Sequence, residues 1–169
     1  MDDYSPVGQC PKDMWDRVLA VNLNGPYLVS KAAVKQFEKQ DTSVARLIIN
    51  IGSDTSYRGL QTGAAYTASK AGLEALTKNM ASYYGANRIY TVALLLGSMA
   101  GTNIADACAQ GVYLQTYLRI LAAQTMYTAG ANGTPLKAVA KYCLFLSDED
   151  ITPSANGSCI VFNRNWPEA

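Results

Sequence analysis

Three stretches of the sequence decide the fold: residues 45–53 read ARLIINIGS, residues 64–84 read AAYTASKAGLEALTKNMASYY, and residues 87–97 read NRIYTVALLLG. The first and third stretches are short, apolar and contain β-branched residues, which is typical of buried strands in a parallel sheet. The second stretch places apolar or small residues at helical spacing. Strand, helix and strand in this order predict one βαβ unit with a right-handed connection.

The rest of the chain extends this unit into a small α/β domain. The predicted elements are a helix from about Pro11 to Lys39, a strand near Arg46 to Gly52, a helix from about Ala64 to Tyr84, a strand near Arg88 to Leu95, and a last strand near Ser158 to Phe162. Residues 98–133 form a mixed segment with helical patches, and a further helix is predicted to start at Thr134-Pro135, an N-cap and first-turn pair. Three parallel strands with flanking helices are enough for an independent sheet.

Tyr66 and Lys70 form a Tyr-x-x-x-Lys pair on the predicted second helix. They lie one helical turn apart, so the ammonium can sit beside the phenol. A neighbouring cation favours the phenolate, which makes a tyrosine with an ordinary pKa near ~10 a usable acid and base. Ser53, at the end of the preceding strand, would hydrogen-bond the substrate oxygen. The spacing by itself is weak evidence, because about half of one such pair is expected by chance, and the alternative is a surface pair on an amphipathic helix.

The flanking sequence makes this pattern specific. Residues 15–34 read WDRVLAVNLNGPYLVSKAAV and carry Asn22, Ser53 precedes Tyr66 by thirteen residues, and Tyr66 begins the run YTASKAG. In these motifs and their order the chain resembles the short-chain dehydrogenase/reductase family over nearly its whole length. The resemblance implies an α/β fold, a truncated Rossmann-like parallel three-layer sandwich of about three strands with flanking helices, in a single partial domain over residues 1–169.

The same resemblance implies an NAD(P)-dependent oxidoreductase that transfers hydride to or from an alcohol or ketone. Its catalytic residues would be Asn22, Ser53, Tyr66 and Lys70. Tyr66 would pass the proton, Lys70 would lower the tyrosine pKa and hold the nicotinamide ribose, Ser53 would fix the substrate oxygen, and Asn22 would anchor a water leading to Lys70. Asn22 has the alternative of bonding helix backbone at a kink near Gly25-Pro26, and Ser53 that of a strand-ending cap.

On the cofactor side, the resemblance implies NAD or NADP, bound by Tyr66, Lys70, Gly97, Met99 and Thr102. Thr102 has the alternative of capping a helix, because TNIADACA begins there.

The Gly-rich turn that meets the cofactor pyrophosphate is absent from the 169 residues. Asn163-Arg164-Asn165 stands where the family has Asp-Gly-Gly. The chain therefore resembles the C-terminal catalytic portion of the family, without its N-terminal nucleotide-binding half.

Three functions follow as hypotheses. The first is the oxidoreductase, working as part of a longer chain or with a separate nucleotide-binding half. The second is a non-catalytic, oligomerising remnant of the family. The third is a cofactor-free catalyst that uses the Tyr66–Lys70 pair as a general base.

Composition excludes several other classes. A formal charge of +1 without a basic run argues against nucleic acid, and no apolar stretch approaches the ~20 residues of a membrane span. The start MDDYSPVGQC lacks the features of a signal peptide, so a cytoplasmic location is expected. The absence of histidine and of C-x-x-C removes the usual zinc sites and Ser-His-Asp chemistry, so no metal is expected. Most of the cysteines are expected to be buried free thiols; they are Cys10, Cys108, Cys143 and Cys159.

Two expectations concern surfaces. The outer edge of the first strand, LIINI, would be unpaired and apolar, so we expect a partner chain or a rearranged N-terminus to cover it. Together with the long helices, which form the usual oligomer surface of the family, this predicts a homodimer or homotetramer. Residues 111–127, GVYLQTYLRILAAQTMY, fit a buried or interface stripe better than the lining of a substrate pocket. The substrate by resemblance is a small alcohol or ketone.

Overall fold

The computed structural model describes residues 2–59, 62–100, 102, 111–123 and 133–164. The helices are α1 (Lys12–Leu19), α2 (Gly25–Phe37), α3 (Thr55–Arg58), α4 (Ala64–Tyr84), α5 (Leu114–Ala123), α6 (Leu136–Leu146) and α7 (Thr152–Ala155). The strands are β1 (Arg46–Ser53), β2 (Ile89–Leu96), β3 (Met99–Ala100), β4 (Thr134–Pro135) and β5 (Cys159–Phe162). A π-helical turn at Ala20–Asn24 joins α1 to α2, and a 3₁₀ turn at Gly85–Asn87 follows α4.

The main sheet has the order β1-β2-β5, with both pairs parallel. This confirms the predicted three parallel strands, and the observed strand ends differ from the expected ones by about one residue. β3 and β4 form a separate two-stranded parallel pair just past the end of β2. β2 is central, and in the described residues no strand pairs with the outer edge of β1.

Helices cover both faces of the sheet, which confirms the three-layer arrangement. On one face, side chains of β2 meet α6 in a buried cluster of Val92, Leu94, Leu96, Val139 and Leu146. On the other face, Val34 of α2, Met80 of α4 and Ile89 of β2 form a second buried cluster. Alternate side chains of β2 therefore serve opposite layers, as expected for a parallel strand buried on both faces.

The predicted helix from Pro11 to Lys39 is interrupted by the π turn at Ala20–Asn24. The Gly25 N–H donates to the Ala20 carbonyl, five residues back. Pro26 has no N–H, so the Asn22 carbonyl lacks the donor that a regular α-helix would supply. The interruption therefore ends directly before Gly25-Pro26, near which the alternative interpretation of Asn22 placed a kink.

The prediction that α6 begins at Thr134-Pro135 was wrong. The Thr134 N–H donates to the Ser98 carbonyl at 2.8 Å, and Thr134 pairs with Met99 in the short second sheet. Thr134 is therefore extended backbone, and the helix starts at Leu136 with Pro135 as its N-cap. A tertiary pairing with residues far earlier in the chain outweighed the local capping preference.

The segment predicted as a packing stripe contains α5. Tyr117 contacts Tyr4, with ring centroids 6.3 Å apart, but Leu114 and Leu118 are exposed. The stripe is therefore only partly covered. Residues 124–127 and the side chain of Leu121 lie outside what the structure describes.

The remaining expectations concern the cysteines, metal binding and membrane spans. Cys10, Cys143 and Cys159 are free and half-buried, rather than fully buried as expected, and Cys108 lies outside the described residues. In the described ranges, no group of side chains could hold a metal ion, and no helix is long and apolar enough to cross a membrane.

Candidate active site

The candidate site lies at the carboxyl ends of the parallel strands. Ser53 is the last residue of β1, Gly97 follows β2, and Asn163 follows β5. Tyr66 lies in the first turn of α4, which returns over the sheet from this end. The carboxyl ends of strands in an open α/β sheet are where ligands bind, because the connecting loops open there.

Ser53 and Tyr66 are joined by a side-chain hydrogen bond that lowers the pKa of the Tyr66 phenol. Ser53 is buried, and its Oγ also accepts the Thr55 backbone N–H at 3.3 Å. With the Thr55 amide donating to that oxygen, the Ser53 hydroxyl proton is free to point at the phenol. The strand-ending role and the catalytic role expected of Ser53 are therefore compatible in one geometry.

Burial is the largest influence on Tyr66 and raises the pKa of its phenol above the ordinary value. The hydrogen bond with Ser53 opposes this effect, and the carboxyls of Asp54 and Asp2 add to it. The pKa is raised on balance, so the lowering expected from Lys70 is not what this arrangement produces. The phenol is held in its protonated form.

Lys70 lies beside the tyrosine ring, not at the phenol oxygen. Its Nζ is 5.5 Å from the Tyr66 ring centroid, within cation–π range, and it donates to the Ile51 carbonyl at 2.8 Å. Burial lowers the pKa of the Lys70 ammonium. Within the described residues it has no carboxylate partner.

Asn22 and Tyr66 share a cleft of about 470 Å³ between the N-terminal segment, the π turn and α4. The lining residues are Asp2, Arg17, Val18, Ala20, Val21, Asn22 and Tyr66. Ser53 and Lys70 are not part of this lining. The structure therefore brings Asn22 and Tyr66 together on the cleft wall, while Ser53 and Lys70 approach Tyr66 from the side of β1.

Sequence reasoning missed Asp54, the residue directly after Ser53. Its backbone N–H donates to the Leu96 carbonyl at 3.1 Å, and its Oδ2 accepts from Asn163 Nδ2 at 3.4 Å. Burial raises the pKa of its carboxyl to about 6. The signal available was a charged residue placed directly after an apolar strand, where parallel sheets collect their functional side chains.

Asp2 was also missed. It is only 7% exposed, and its Oδ2 accepts the Gly63 backbone N–H, 2.6 Å away, at the start of α4. Burial raises the pKa of the Asp2 carboxyl. The partners are 61 residues apart in sequence, and no local pattern connects them.

The residues expected to contact the cofactor differ in which of their groups a ligand could reach. Met99 turns its side chain into the core formed by β2 and α6, which leaves its backbone as the part that could meet a ligand. Thr102 is exposed, and its Oγ1 donates to the Met99 carbonyl at 3.4 Å. The cap expected for Thr102 cannot be compared, because residues 103–110 lie outside the described ranges.

The donor set at this edge fits the sugar end of a nicotinamide nucleotide. An ammonium has three donors, and Lys70 uses one on a neutral carbonyl, which leaves donors for ribose hydroxyls. Tyr66 adds a phenol beside it. For the pyrophosphate, the described residues offer no Gly-rich turn at a helix N-terminus.

Comparison with known sequences places this site in context. The sequence model of the short chain dehydrogenase family matches residues 2–112. The short chain dehydrogenase/reductase dpchG of Colletotrichum higginsianum is 36% identical over 167 residues, which cover 98% of this chain and 61% of that protein. The 3beta-hydroxysteroid dehydrogenase 2 of Eggerthella lenta is 32% identical over 169 residues, with the same two coverages of 98% and 61%. The chain thus spans about three fifths of these relatives.

Solved structures agree on the fold. A 4-hydroxyisoleucine dehydrogenase complexed with NADH superposes with a TM-score of 0.77 at 22% identity, covering 100% of this chain and 65% of that one. The acetoin dehydrogenase from Enterobacter cloacae gives a TM-score of 0.75 at 23% identity, covering 100% and 63%. These likenesses support the same chain path through the sheet and its helices.

Proposed function

Because this chain belongs to the short chain dehydrogenase family, as its motifs indicated, we propose that it provides the proton-transfer site of an NAD(P)-dependent oxidoreductase. The substrate would be an alcohol or ketone. The observation that carries the proposal is that two family motifs, the serine and the Tyr-x-x-x-Lys pair, meet at one phenol. Ser53 hydrogen-bonds Tyr66, and Lys70 lies 5.5 Å from the ring centroid of the same tyrosine.

In this proposal Tyr66 transfers the proton. Its raised pKa keeps the phenol protonated at neutral pH, so in the reduction direction it donates its hydrogen to the substrate carbonyl oxygen. Ser53 is within reach of the same oxygen, since it already bonds the phenol, and its hydroxyl would stabilise negative charge developing there. In the oxidation direction the same two groups act in reverse.

Lys70 would bind the ribose of the cofactor, and its ammonium would keep a positive charge next to Tyr66. Its ammonium lies next to the Tyr66 ring and has two donors beyond the one that bonds the Ile51 carbonyl. Bound NAD or NADP would supply or accept the hydride. Gly97, the backbone of Met99, and Thr102 lie past the end of β2, and we assign them to the nicotinamide end of the cofactor. Asn22, on the cleft wall with Tyr66, is proposed to hold a water on the path to Lys70.

A second candidate is a non-catalytic assembly module of the same family. The observation that favours it is the present use of Lys70, whose ammonium bonds the Ile51 carbonyl while the Tyr66 pKa is raised. A lysine engaged in this way supports structure more than proton transfer. The two candidates differ in whether the chain binds a nicotinamide nucleotide.

A fluorescence titration of the full chain with NADH and with NADPH tests the proposal. Micromolar binding of either nucleotide supports it, and the tighter one identifies the cofactor. Turnover with secondary alcohols and ketones should then fall at least roughly 100-fold in Tyr66→Phe, because a positioned general acid contributes about 10²–10⁴ in rate. Tyr27→Phe, on the exposed side of α2, is the matched control and should retain activity. Absence of nucleotide binding favours the assembly module.

We further propose a homodimer or homotetramer in the cytoplasm. The free thiols of Cys10, Cys143 and Cys159 are in keeping with a reducing compartment. Exposed apolar side chains support an oligomer; they are Val21 in the π turn and Leu28 and Val29 on α2.

A further inference from the structure

The Asp54 side chain lies across the carboxyl end of the central strand. Asp54 follows β1 and Asn163 follows β5, and these two strands flank β2 on opposite sides. Asp54 Oδ2 accepts from Asn163 Nδ2 at 3.4 Å, and the Asp54 N–H donates to the carbonyl of Leu96, the last residue of β2. The bond between the two side chains therefore passes over the end of β2, where Gly97 follows.

This carboxyl group is shielded from water. Asp54 is 2% exposed, and its partner Asn163 is 5% exposed. Burial raises the pKa of the Asp54 carboxyl to about 6, so the group is ionised at neutral pH. Because a buried charge is screened only weakly, its field reaches the groups around it. Tyr66 responds to this field, since the charge of Asp54 contributes to the raised pKa of the phenol.

Two helices bring charged or titratable groups toward Asp54. Arg58 of α3 lies close enough for its charge to lower the pKa of the Asp54 carboxyl, although burial outweighs this effect. α4 contributes Tyr66 and also Lys70, whose Nζ is 5.5 Å from the centroid of that ring. Asp2 adds a second negative charge that acts on Tyr66. The Asp54 carboxylate is therefore within electrostatic range of the phenol and lies beside the end of β2.

The two redox states of a nicotinamide ring differ in charge. The ring of NAD or NADP is positive when oxidised and neutral when reduced. A fixed carboxylate near the ring therefore stabilises the oxidised form and affects the reduced form little. In the proposed function the nicotinamide end of the cofactor contacts Gly97, the backbone of Met99, and Thr102. This segment begins directly after Leu96, the residue that Asp54 bonds.

We propose that Asp54 makes this site favour the oxidised nicotinamide, and so makes the bound reduced cofactor a stronger hydride donor than it would be beside an uncharged side chain. This effect on the cofactor rests on the proposed function. The two parts of the statement are linked, because a preference for the oxidised ring and an easier loss of hydride are one free-energy difference. The hydride would go to the substrate carbonyl carbon, and Tyr66, held in its protonated form, would give its proton to the oxygen.

The test is the ratio of the dissociation constants for the two redox states. NADH binding is followed by its fluorescence and NAD⁺ binding by displacement of NADH; NADPH and NADP⁺ are used instead if they bind more tightly. In Asp54→Asn we expect NAD⁺ to bind roughly fivefold or more weakly relative to NADH, because the amide has nearly the same shape but no charge. Asp54→Glu retains the charge and should retain the preference. Asp41→Asn, an exposed carboxyl before the amino end of β1, is the control and should bind both forms as wild type does.

An unchanged ratio in Asp54→Asn overturns the proposal, as does an equal loss of affinity for both forms, which would mean that Asp54 only shapes the site. A loss in Asp54→Glu or Asp41→Asn as large as in Asp54→Asn also overturns it. Asp54→Ser removes the charge too and replaces Asp54→Asn if that variant does not fold. If nucleotides bind with an unchanged ratio, the proposed function stands without this role of Asp54. If neither redox state of either nucleotide binds, the proposed function fails and the role of Asp54 fails with it.

Discussion

The neighbouring strands β1 and β2 are alike in length and in their apolar character but have very different surroundings. Both are apolar eight-residue strands, RLIINIGS and IYTVALLL. Seven of the eight residues of β2 are buried, against four of the eight in β1. The reason is position, because β2 has a strand on each side and β1 has one only on its inner side in the described part of the chain.

The residues of the candidate site lie on or beside β1, the strand with one neighbour. Ser53 ends β1, Lys70 bonds its edge carbonyl, and Asp54 follows it. β2 contributes packing for both faces of the sheet. Stability should therefore depend mainly on β2 and on the inner edge of β1, whereas changes on the outer edge of β1 should cost less.

The largest expected effect separates the two edges of β1. Ile48→Pro removes an N–H that faces β2, and we expect a loss of about 3 kcal/mol or more in the free energy of unfolding. Ile51→Pro removes an N–H that faces outward, where proline is tolerated, and should cost well under half as much. Urea unfolding of both variants measures the difference. Ile48→Ala and Ile51→Ala control for the lost side chains, and equal losses in the two proline variants would contradict the assigned edge.

An effect of similar size compares side chains between the two strands. Leu94 of β2 is 0% exposed, so Leu94→Ala should destabilise the fold by about 3 to 4 kcal/mol through lost burial and a residual cavity. Ile51→Ala on β1 should cost less than about 1 kcal/mol when measured on the dilute monomer, because the side chain is already 45% exposed. Similar losses at both positions would mean that the outer edge of β1 is covered in solution.

The contrast between the strands also marks what the sequence could reveal. Hydrophobic runs and helical spacing predicted β1, β2 and α4 within about a residue, because these elements are specified by local periodicity. The same runs do not distinguish a central strand from an edge strand. That property depends on which other strands are present, and it was expected here only through the family resemblance.

In the candidate site, likewise, some contacts could be predicted from the sequence and others could not. The motif spacing predicted that Ser53 and the Lys70 ammonium would lie beside the Tyr66 phenol, since these positions follow from a strand end and one helical turn. Ser53 lies there, whereas the ammonium lies beside the ring, 5.5 Å from its centroid. The sequence did not indicate that Asp54 and Asp2 would raise the Tyr66 pKa, or that Lys70 would bond the Ile51 carbonyl. These contacts join residues distant in sequence, and burial, which drives the pKa, is a property of the whole fold.

Asp54, directly after β1, allows the energetic cost of a buried carboxylate to be measured. Its carboxyl pKa is raised from 3.8 to about 6, so the folded chain holds this proton more tightly than the unfolded chain. Stability should therefore fall as the pH rises from about 4 to 6, and by neutral pH the ionised Asp54 costs about 3 kcal/mol. Asp54→Asn should remove this cost and make the chain more stable than wild type at pH 7.

The measurement is urea unfolding of wild type and Asp54→Asn at about pH 4 and about pH 7. The gain should be present at the higher pH and absent at the lower one, because wild-type Asp54 is then protonated in the folded state. Asn163→Ala, which removes a donor to Asp54, should act in the opposite direction and only at the higher pH. A gain of equal size at both pH values would assign the effect to packing instead of charge.

The smallest expected effect concerns Gly52, where β1 makes room for β2 directly before Ser53. A Cβ at this position would lie 2.6 Å from Leu95 Cδ2 and 3.2 Å from the Leu94 carbonyl oxygen. Gly52→Ala should therefore cost about 1 to 2 kcal/mol, since the leucine methyl can move but the backbone oxygen cannot. Adding Leu95→Val shortens the side chain that Gly52→Ala meets, so the double variant should lose less than the sum of the two single losses. Strict additivity in urea unfolding would show that the crowding lies at the Leu94 backbone, and that the spacing of the two strands next to Ser53 is set by main-chain contact.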